Sequence, residues 1–329
     1  MKILITGGSG YIGSHTVYKA IEQGIEVVIV DDLITGNAKA LHPDAVFYEL
    51  DLKNFKSLND VFKKHSFDQI IHFAARSIVS ESITNPLKYF EDNIISTKNI
   101  LECMRIHKVM NIVFSSTAAV YGIQDKMPLK EDSKTIPNNA YGETKLAVEK
   151  MLKWSKKAYG INYTILRYFN AAGARSDSVI GEDHDPETHL IPLVMKVALS
   201  QKNYISIYGD DYDTKDGTCI RDYIHVQDLA DAHIKAVQNM SLKNNIEDTF
   251  NLGTGTGFSV IEVIKMVKKI TNKDIPIKYE KRREGDPAVL VASFEKVKKE
   301  LNWSPENSDL ETIIVDAWKW HRKNPSGFN

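Results

Sequence analysis

Short apolar segments alternate with longer segments of helical period along the first half of this chain of 329 residues. The apolar segments read KILIT, EVVIV, VFYEL, DQIIHF, NIVFSS and YTILRYF, and helical spacing is found at 11–23, 55–65, 87–107 and 140–158. Strands that alternate with helices form right-handed βαβ units, which build a parallel sheet covered on both faces. The pattern therefore predicts an α/β fold with a doubly wound parallel sheet.

The regular alternation ends after residue 173, where long polar segments such as GARSDSVIGEDHDPETH and GDDYDTKDGT begin. Segments of this length and polarity are typical of binding surfaces rather than of simple connections. Helical stretches near 190–200, 226–240, 259–270 and 309–323 are mixed with short strands. We expect a first domain of residues 1–173, to which 218–253 return, and a smaller C-terminal α/β lobe of residues 174–217 and 254–329.

Charge and composition exclude several classes of protein. Lys plus Arg number 42 and Asp plus Glu number 43, so the formal net charge of −1 gives no reason to expect nucleic acid or an anionic membrane as a partner. No segment has the roughly 18 consecutive apolar residues of a membrane span, and the N-terminus lacks a signal-peptide core. Cys103 and Cys219 have neither disulfide nor zinc-ligand spacing. We expect a cytoplasmic enzyme or binding protein.

A glycine-rich turn, TGGSGYIGSH, follows the first predicted strand and opens the first predicted helix. Glycines at this place permit a tight turn and close approach of the backbone to a pyrophosphate, which the helix N-terminus also attracts. Asp31 ends the second predicted strand, about 20 residues downstream, where a carboxylate accepts hydrogen bonds from a ribose 2′-hydroxyl. No arginine lies between residues 32 and 75 to favour a 2′-phosphate. The sequence therefore predicts a Rossmann-like domain that binds NAD rather than NADP.

Tyr141 and Lys145 are four residues apart in a predicted helix, which places them on one face. A nearby ammonium group favours the phenolate and lowers the pKa of a tyrosine, so the pair predicts a tunable base. The hydroxyl-rich FSSTAAVYG lies at the C-terminal end of a predicted parallel strand, where ligands of such sheets bind.

These features resemble the extended short-chain dehydrogenase/reductase superfamily. The glycine turn, HFAA, the hydroxyl-bearing strand end and Y-x-x-x-K carry the general resemblance. Further segments narrow it to the UDP-glucose 4-epimerases: YFNAAGA, HLIP, DGTCIRDYIHVQDLADAH, FNLGTGTGFSV and RREGDPA. The resemblance extends from Met1 nearly to the C-terminus.

The resemblance implies tightly held NAD and a reaction at C4 of a UDP-hexose. Tyr141 would take the proton of the sugar 4-hydroxyl, Lys145 would tune Tyr141 and reach the nicotinamide ribose, and Thr117 would hydrogen-bond the substrate oxygen. Some relatives carry a lysine where this chain has Ser77, preceded by Arg76, so that extra cationic contact is not expected. The implied cofactor-binding residues are Gly7, Gly10, Tyr11, Ile12, Gly13, Asp31, Asp32, Asn37, Asp51, Leu52, Phe73, Ala74, Ala75, Asn93, Ser115, Tyr141, Lys145 and Tyr168.

The resemblance also implies residues for the UDP-sugar and a homodimer formed through the helices at 87–107 and 140–158. Two arginines in the implied set suit phosphate oxygens, because a guanidinium group binds them bidentately. We expect no metal: His184, Asp185, Glu187 and His189 lack a helix to place them and match no H-E-x-x-H pattern. The implied substrate-binding residues are Thr117, Asn170, His189, Leu190, Ser206, Tyr208, Arg221, Arg283, Asp286 and Leu290.

Two other functions stay open at this stage. Epimerases of UDP-N-acetylglucosamine or UDP-glucuronate share nearly every motif, and Leu290 falls where relatives bound the sugar pocket. A silent NAD sensor on the same fold is less expected, because a sensor needs no base beside the nicotinamide. A 4,6-dehydratase is disfavoured, because Ala118 and Ala119 follow Thr117 where such enzymes carry an acid and a base.

Overall fold

The computed structural model describes residues 1–283 and 285–328, which divide into two compact units. Unit 1 comprises Met1–Gly122, Glu131–Tyr168 and Ala230–Asn251. Unit 2 comprises Ile123–Lys130, Phe169–Leu229 and Leu252–Asn329, of which the last residue is not described.

The strands and helices are numbered here in chain order. The strands are β1 (Lys2–Thr6), β2 (Glu26–Asp31), β3 (Val46–Glu49), β4 (Gln69–His72), β5 (Asn111–Thr117), β6 (Asn162–Tyr168), β7 (Asn170–Ala172), β8 (Ile205–Tyr208), β9 (Ile220–Arg221), β10 (Tyr223–His225), β11 (Glu247–Leu252), β12 (Phe258–Ser259), β13 (Ile277–Glu280) and β14 (Val289–Leu290). The helices are α1 (Tyr11–Glu22), α2 (Phe55–Lys64), α3 (Val79–Thr84), α4 (Pro86–Phe90), α5 (Ser96–His107), α6 (Ala140–Tyr159), α7 (Leu190–Ala198), α8 (Val226–Leu242), α9 (Val260–Thr271), α10 (Glu295–Leu301) and α11 (Leu310–Lys323).

A seven-stranded sheet forms the centre of unit 1, in the order β11-β6-β5-β4-β1-β2-β3. The strand pairings from β3 across to β6 are all parallel. The central strands are almost wholly apolar and buried, as in Ile3, Leu4 and Ile5 of β1, because helices cover both faces of a parallel sheet. The predicted doubly wound α/β fold is confirmed, and the carboxyl ends of its strands meet at one edge.

The predicted helix at 87–107 is not one regular α-helix. A π-helical turn, Glu91–Ile95, separates α4 from α5. Its residue Asn93 is buried, and its side-chain amide accepts from Arg76 N (2.8 Å) and donates to Thr144 Oγ1 (2.9 Å). Contacts with residues distant in sequence thus select this wider turn, and π turns of this kind often occur at functional sites. The periodicity of apolar residues in the sequence does not reveal a π turn.

A buried ion pair joins α6 to the sheet. Arg167 on β6 makes two hydrogen bonds to the Glu149 carboxylate, Nε to Oε1 at 2.9 Å and Nη2 to Oε2 at 2.6 Å. Ser116 on β5 donates to the same carboxylate at 2.7 Å, and Arg167 also donates to Tyr121 Oη at 2.9 Å. Both side chains of the pair are at most 4% exposed. The pair therefore fixes the position of α6 against β5 and β6.

Unit 2 contains three small sheets and a second apolar core. β10 pairs with β7, β12 and β14 flank β9, and β13 pairs with β8. Helices α7, α9 and α11 bury apolar residues such as Val194, Val267 and Ile314 in this core. Its strands are short, which is why several of them, such as β9 and β14, carry no clear sequence pattern.

The bounds of the two units differ from the expected domain bounds at four segments, residues 123–130, 169–173, 218–229 and 252–253. Residues 169–173 and 218–229 belong to unit 2, because Asn170–Ala172 pair in parallel with Tyr223–His225 and both strands therefore stay together. Residues 123–130 also belong to unit 2, where Leu129 N donates to Val291 O at 2.8 Å. Strand pairing between distant segments, which the sequence does not display, sets these bounds.

No helix within the described part of the chain combines the length and the apolar character that crossing a bilayer requires.

The buried pair yields a stability prediction. Arg167→Met leaves the Glu149 carboxylate buried without its cation, and removing one partner of a buried pair costs about 3–5 kcal/mol. We expect the free energy of unfolding, measured by urea titration with saturating NAD, to fall by that amount. Lys268→Met is the matched control, because Lys268 pairs with Asp274 at 2.6 Å on the exposed surface and such pairs contribute about 1 kcal/mol or less. Equal losses in the two variants would contradict the role of the buried pair.

Candidate active site

The glycine turn connects β1 to α1 at the carboxyl edge of the sheet. Gly7 has φ +75°, and a Cβ at this residue would lie 2.6 Å from Ala74 N. A Cβ at Gly13 would overlap the Gly7 carbonyl oxygen, so the helix can approach the turn only with glycine there. Gly10 is the N-cap of α1 and provides no side-chain cap. The turn thus leaves backbone N–H groups at a helix N-terminus for a diphosphate, as bound NAD requires.

Asp31 lies at the end of β2 beside this turn. Its carboxylate accepts from Ser9 N and Leu33 N, both at 3.0 Å, which holds the turn against the sheet. Each carboxylate oxygen can accept a further hydrogen bond, so a ribose hydroxyl fits. Arg76 does not offer its charge to a 2′-phosphate, because it pairs with Asp92 at 2.8 Å and with Asp32 at 3.3 Å.

The segment after β4 lies beside the glycine turn and contains further predicted cofactor-binding residues. Phe73 N and Ala74 N both donate to Thr6 O, which holds the segment against β1. Asn93 bonds to both the N–H and the carbonyl of Arg76 and so fixes the next residues. Three further predicted residues lie near the glycine turn: Tyr11 and Ile12 in the first turn of α1, and Asn37, whose N–H donates to Ser9 O at 3.1 Å. Asp51 and Leu52 follow β3, and Ala75 continues the segment after β4.

Thr117, Tyr141 and Lys145 meet where β5 ends and α6 begins. Asn139 caps α6 by accepting from Gly142 N at 2.8 Å, and Tyr141 lies in the first turn. The Thr117 hydroxyl hydrogen-bonds the Tyr141 phenol. The Lys145 ammonium donates to Ser115 O at 2.8 Å and lies 6.0 Å from the centre of the Tyr141 ring. The three side chains are all at most 9% exposed.

Burial sets the protonation of this group. It raises the pKa of Tyr141 above its usual range, an effect that Tyr168 strengthens and the Thr117 hydrogen bond opposes. Burial also lowers the pKa of Lys145 to about 7. Tyr141 therefore resists ionisation, and Lys145 gives up its proton readily. A further positive charge beside Tyr141 would lower its pKa and allow proton transfer near neutral pH.

His72 lies on β4, the strand next to β5, and the sequence pattern does not predict a role for it. Its Nδ1 is 2.7 Å from Thr6 Oγ1 and its Nε2 is 2.9 Å from Thr97 Oγ1. Burial and then the Lys145 charge lower its pKa to about 3, so the imidazole is neutral. A neutral histidine leaves Lys145 as the cation of this region.

Ser115 Oγ and Tyr168 Oη, both predicted cofactor neighbours, hydrogen-bond each other at 2.7 Å.

The predicted residues for the UDP-sugar all lie in unit 2, except Thr117. Arg221 donates to Asp286 Oδ1 at 3.0 Å and to the carbonyls of Ile220 and Pro287, and Leu290 pairs with it in register across β9 and β14. The Arg283 guanidinium lies 3.9 Å from the centre of the Tyr208 ring. The remaining predicted positions are Ser206 on β8, Asn170 on β7, His189 as N-cap of α7, and Leu190 as its first residue.

The carboxylate of Asp222 connects distant segments of unit 2, and the sequence pattern does not predict this role. Its buried carboxylate accepts from Thr254 N (2.9 Å), Thr254 Oγ1 (2.7 Å), Gly255 N (3.2 Å) and Ala292 N (3.1 Å). Burial raises its pKa, which these hydrogen bonds partly oppose. Four donors from two distant segments cannot be foreseen from the sequence around a single aspartate.

Comparison with known proteins identifies the family. Residues 3–253 match the model of the NAD dependent epimerase/dehydratase family. The UDP-glucose 4-epimerase of Halalkalibacterium halodurans is 51% identical over 329 residues, covering 100% of this chain and 98% of the relative. A structure from Brucella ovis, described as UDP-glucose 4-epimerase in complex with NAD, is 41% identical with a TM-score of 0.94 and covers 97% of each chain.

A third relative is described as a UDP-Glc/GlcNAc 4-epimerase from Campylobacter jejuni. It is 40% identical, covers 98% of this chain and 99% of its own, and has a TM-score of 0.85. The predicted family and the predicted NAD cofactor are confirmed by these matches, whereas the assigned roles of single residues stay predictions. This chain therefore belongs to the NAD dependent epimerase/dehydratase family.

Proposed function

We propose that the chain interconverts UDP-galactose and UDP-glucose by inverting the configuration at C4 of the hexose, with a 4-keto sugar as intermediate. The observation that carries this proposal is the buried group of Thr117, Tyr141 and Lys145 at the end of β5. NAD, when bound, accepts the C4 hydride and returns it to the opposite face of the keto sugar. No net oxidation results, because the hydride that leaves the sugar is the one that comes back.

Tyr141 moves the proton of the 4-hydroxyl in this scheme. Its phenolate accepts the proton as the C4 hydride leaves and gives it back as the hydride returns, so one residue serves as base and then as acid. Thr117 holds the same oxygen and keeps the hydroxyl aimed at Tyr141. Lys145 supplies positive charge, which favours the phenolate that burial alone opposes.

We also assign roles to the remaining predicted residues. Asp31 binds the adenosine ribose and the glycine turn binds the diphosphate of NAD. In unit 2 we assign Arg221 and Arg283 to the phosphates of the UDP-sugar, because guanidinium groups bind phosphate oxygens bidentately. The other residues assigned to the UDP-sugar are Asn170, His189, Leu190, Ser206, Tyr208, Asp286 and Leu290.

UDP-N-acetylglucosamine is a second candidate substrate. The Campylobacter jejuni relative is described as a UDP-Glc/GlcNAc 4-epimerase. Leu290 is intermediate in size between the aromatic and the small side chains that would close or open a sugar pocket to an N-acetyl group. Overpacking costs about 1–3 kcal/mol, so we expect this substrate to react roughly 10- to 100-fold more slowly than UDP-galactose.

The compartment and the assembly are also part of the proposal. Cys103 and Cys219 are free and buried, which suits the reducing conditions of the cytoplasm, where we place the reaction. Helices α3 to α6 expose large apolar side chains, among them Ile83 at 62%, Leu87 at 78% and Trp154 at 68%. We infer a homodimer that buries these side chains.

The Tyr141→Phe variant tests the proposed base. Removing the phenol leaves the 4-hydroxyl without a proton acceptor, so kcat with UDP-galactose should fall on the order of 10³-fold with little change in KM. The formation of UDP-glucose is measured, and UDP-N-acetylglucosamine is assayed in parallel. Tyr159→Phe is the matched control, because Tyr159 is an exposed tyrosine on the same helix. A Phe variant that keeps more than about a tenth of the rate would exclude Tyr141 as the base.

A pH profile tests the charge of Lys145. Activity requires the Tyr141 phenolate, so the rate rises with pH through the pKa of Tyr141. Lys145→Met removes a positive charge, raises that pKa and moves the rising limb to higher pH by about one unit or more. Because the pKa of Lys145 is about 7, its positive charge is present below neutral pH and lost above it, so the variant should lose most rate at or below pH 7 and approach the wild-type rate near pH 9 to 10. Lys63→Met, which changes an exposed lysine on α2, should leave the limb unmoved, and an unmoved limb in Lys145→Met would contradict the tuning role.

Light scattering tests the homodimer. We expect twice the chain mass of 37.2 kDa at micromolar concentration. Leu87→Arg should shift the protein toward the single-chain mass, whereas Leu242→Arg, at an 86% exposed position on α8, should not. A wild-type mass of one chain would rule out the dimer.

A further inference from the structure

The loop between β7 and α7 brings two histidines and two glutamates together. Each of Glu182, His184, Glu187 and His189 offers one ligand atom, and these atoms all lie within 4.8 Å of one another. The sequence predicts no metal here, because no helix places these residues, and Glu182 is not among the residues that its pattern singles out. In the structure the loop itself folds back and makes the four side chains converge.

The distances within this cluster suit a tetrahedral ion. Zinc ligands about 2.0–2.1 Å from the metal lie roughly 3.3–3.4 Å from one another. His184 Nδ1 is 3.4 Å from Glu182 Oε1 and 3.7 Å from Glu187 Oε2, and His189 Nδ1 is 3.6 Å from Glu187 Oε1. Only the 2.6 Å contact between His189 Nδ1 and Glu182 Oε1, a hydrogen bond, has to lengthen.

Burial and supporting contacts fix the two carboxylates. The side chains of Glu182 and Glu187 are each only 3% exposed. Glu187 Oε1 accepts from Thr188 N at 2.7 Å and from His189 N at 2.8 Å, which orients the carboxylate toward the cluster. The Glu182 carbonyl accepts from the Trp320 indole at 3.3 Å and anchors the loop to α11. Buried carboxylates require a cation or a metal as partner, and such outer contacts commonly orient metal ligands.

We propose that Glu182, His184, Glu187 and His189 bind one divalent transition-metal ion, with Zn²⁺ as the best match. Two imidazole nitrogens and two carboxylate oxygens form a ligand set that zinc accepts. Four protein ligands close the coordination sphere, so the ion is structural rather than catalytic. The His189 side chain is 55% exposed and provides the path by which the metal enters.

The metal would hold the start of α7. His189 is the N-cap of α7 and makes no side-chain cap hydrogen bond, and Leu190 is its first residue. An ion bound to His189 would tie this helix end to Glu182 and, through the Trp320 contact, to α11. The ion takes only Nδ1 of His189, so its other ring nitrogen stays available to the UDP-sugar as proposed above, and the metal site itself does not depend on the proposed reaction.

The alternative is a metal-free cluster in which protonated histidines neutralise the two glutamates. The two cases differ in metal content, which is measured directly. The untagged protein is purified, incubated with equimolar Zn²⁺, passed over a desalting column and analysed by mass spectrometry for metals. We expect about one Zn²⁺ per chain. Replacing Zn²⁺ by Co²⁺ should produce the visible absorption bands of a four-coordinate cobalt site.

Variants locate the ion. His184→Gln and Glu187→Gln should each lower the affinity for Zn²⁺ at least tenfold and abolish the cobalt bands. His42→Gln is the matched control, because His42 also faces a carboxylate, Asp44 at 3.9 Å, but outside any cluster of four, and it should keep the full metal content. Circular dichroism verifies that the variants fold, and if one does not, the cobalt spectrum of the wild-type protein decides. Wild-type protein that retains less than about a tenth of an equivalent of Zn²⁺ and gives no cobalt bands, or folded variants that keep their metal, would overturn the proposal.

Discussion

The buried ion pair between Glu149 and Arg167 is the contact on which the arrangement of Thr117, Tyr141 and Lys145 depends. Tyr141, Lys145 and Glu149 are spaced four residues apart on α6 and therefore share one face of the helix. Glu149 is fixed to β6 by Arg167 and to β5 by Ser116. The pair thereby sets both the rotation and the height of α6 relative to the end of β5, where Thr117 stands. A buried pair is a poor source of net stability, and its value here is that it selects one position for the helix.

That fixed position gives the site its electrostatic character. The Lys145 ammonium donates to Ser115 O in a buried position, so its pKa falls to about 7, while burial raises the pKa of Tyr141. His72, on the neighbouring strand β4, is neutral and adds no charge. Lys145 is therefore a cation that loses its proton readily. A positively charged ring bound beside it would favour the phenolate, which links the binding of NAD to the activation of the base.

The sequence predicts those parts of the molecule that local patterns determine. Six strands follow from runs of apolar residues, and the turn between β1 and α1 follows from its glycines. The helical spacing places Tyr141 and Lys145 on one face of α6, and their role as a base stays a prediction. The parts that escaped prediction depend on contacts between distant segments. The π turn at Asn93 is selected by Arg76 and Thr144, Arg167 meets Glu149 only after the sheet forms, and Glu182 joins His184 and His189 because an irregular loop turns back. The spacing of apolar residues along the sequence does not indicate contacts between such distant segments.

Isotope retention at C4 tests the central claim most directly, namely that Tyr141 moves only the hydroxyl proton while the C4 hydrogen travels as hydride. UDP-galactose carrying deuterium at C4 is converted in ordinary water, and the UDP-glucose formed is analysed by NMR. The account predicts that the deuterium stays at C4 of the product, because the hydride never exchanges with solvent. Loss of the deuterium to water would mean that C4 is deprotonated and reprotonated, and it would contradict both the role of NAD and the role assigned to Tyr141.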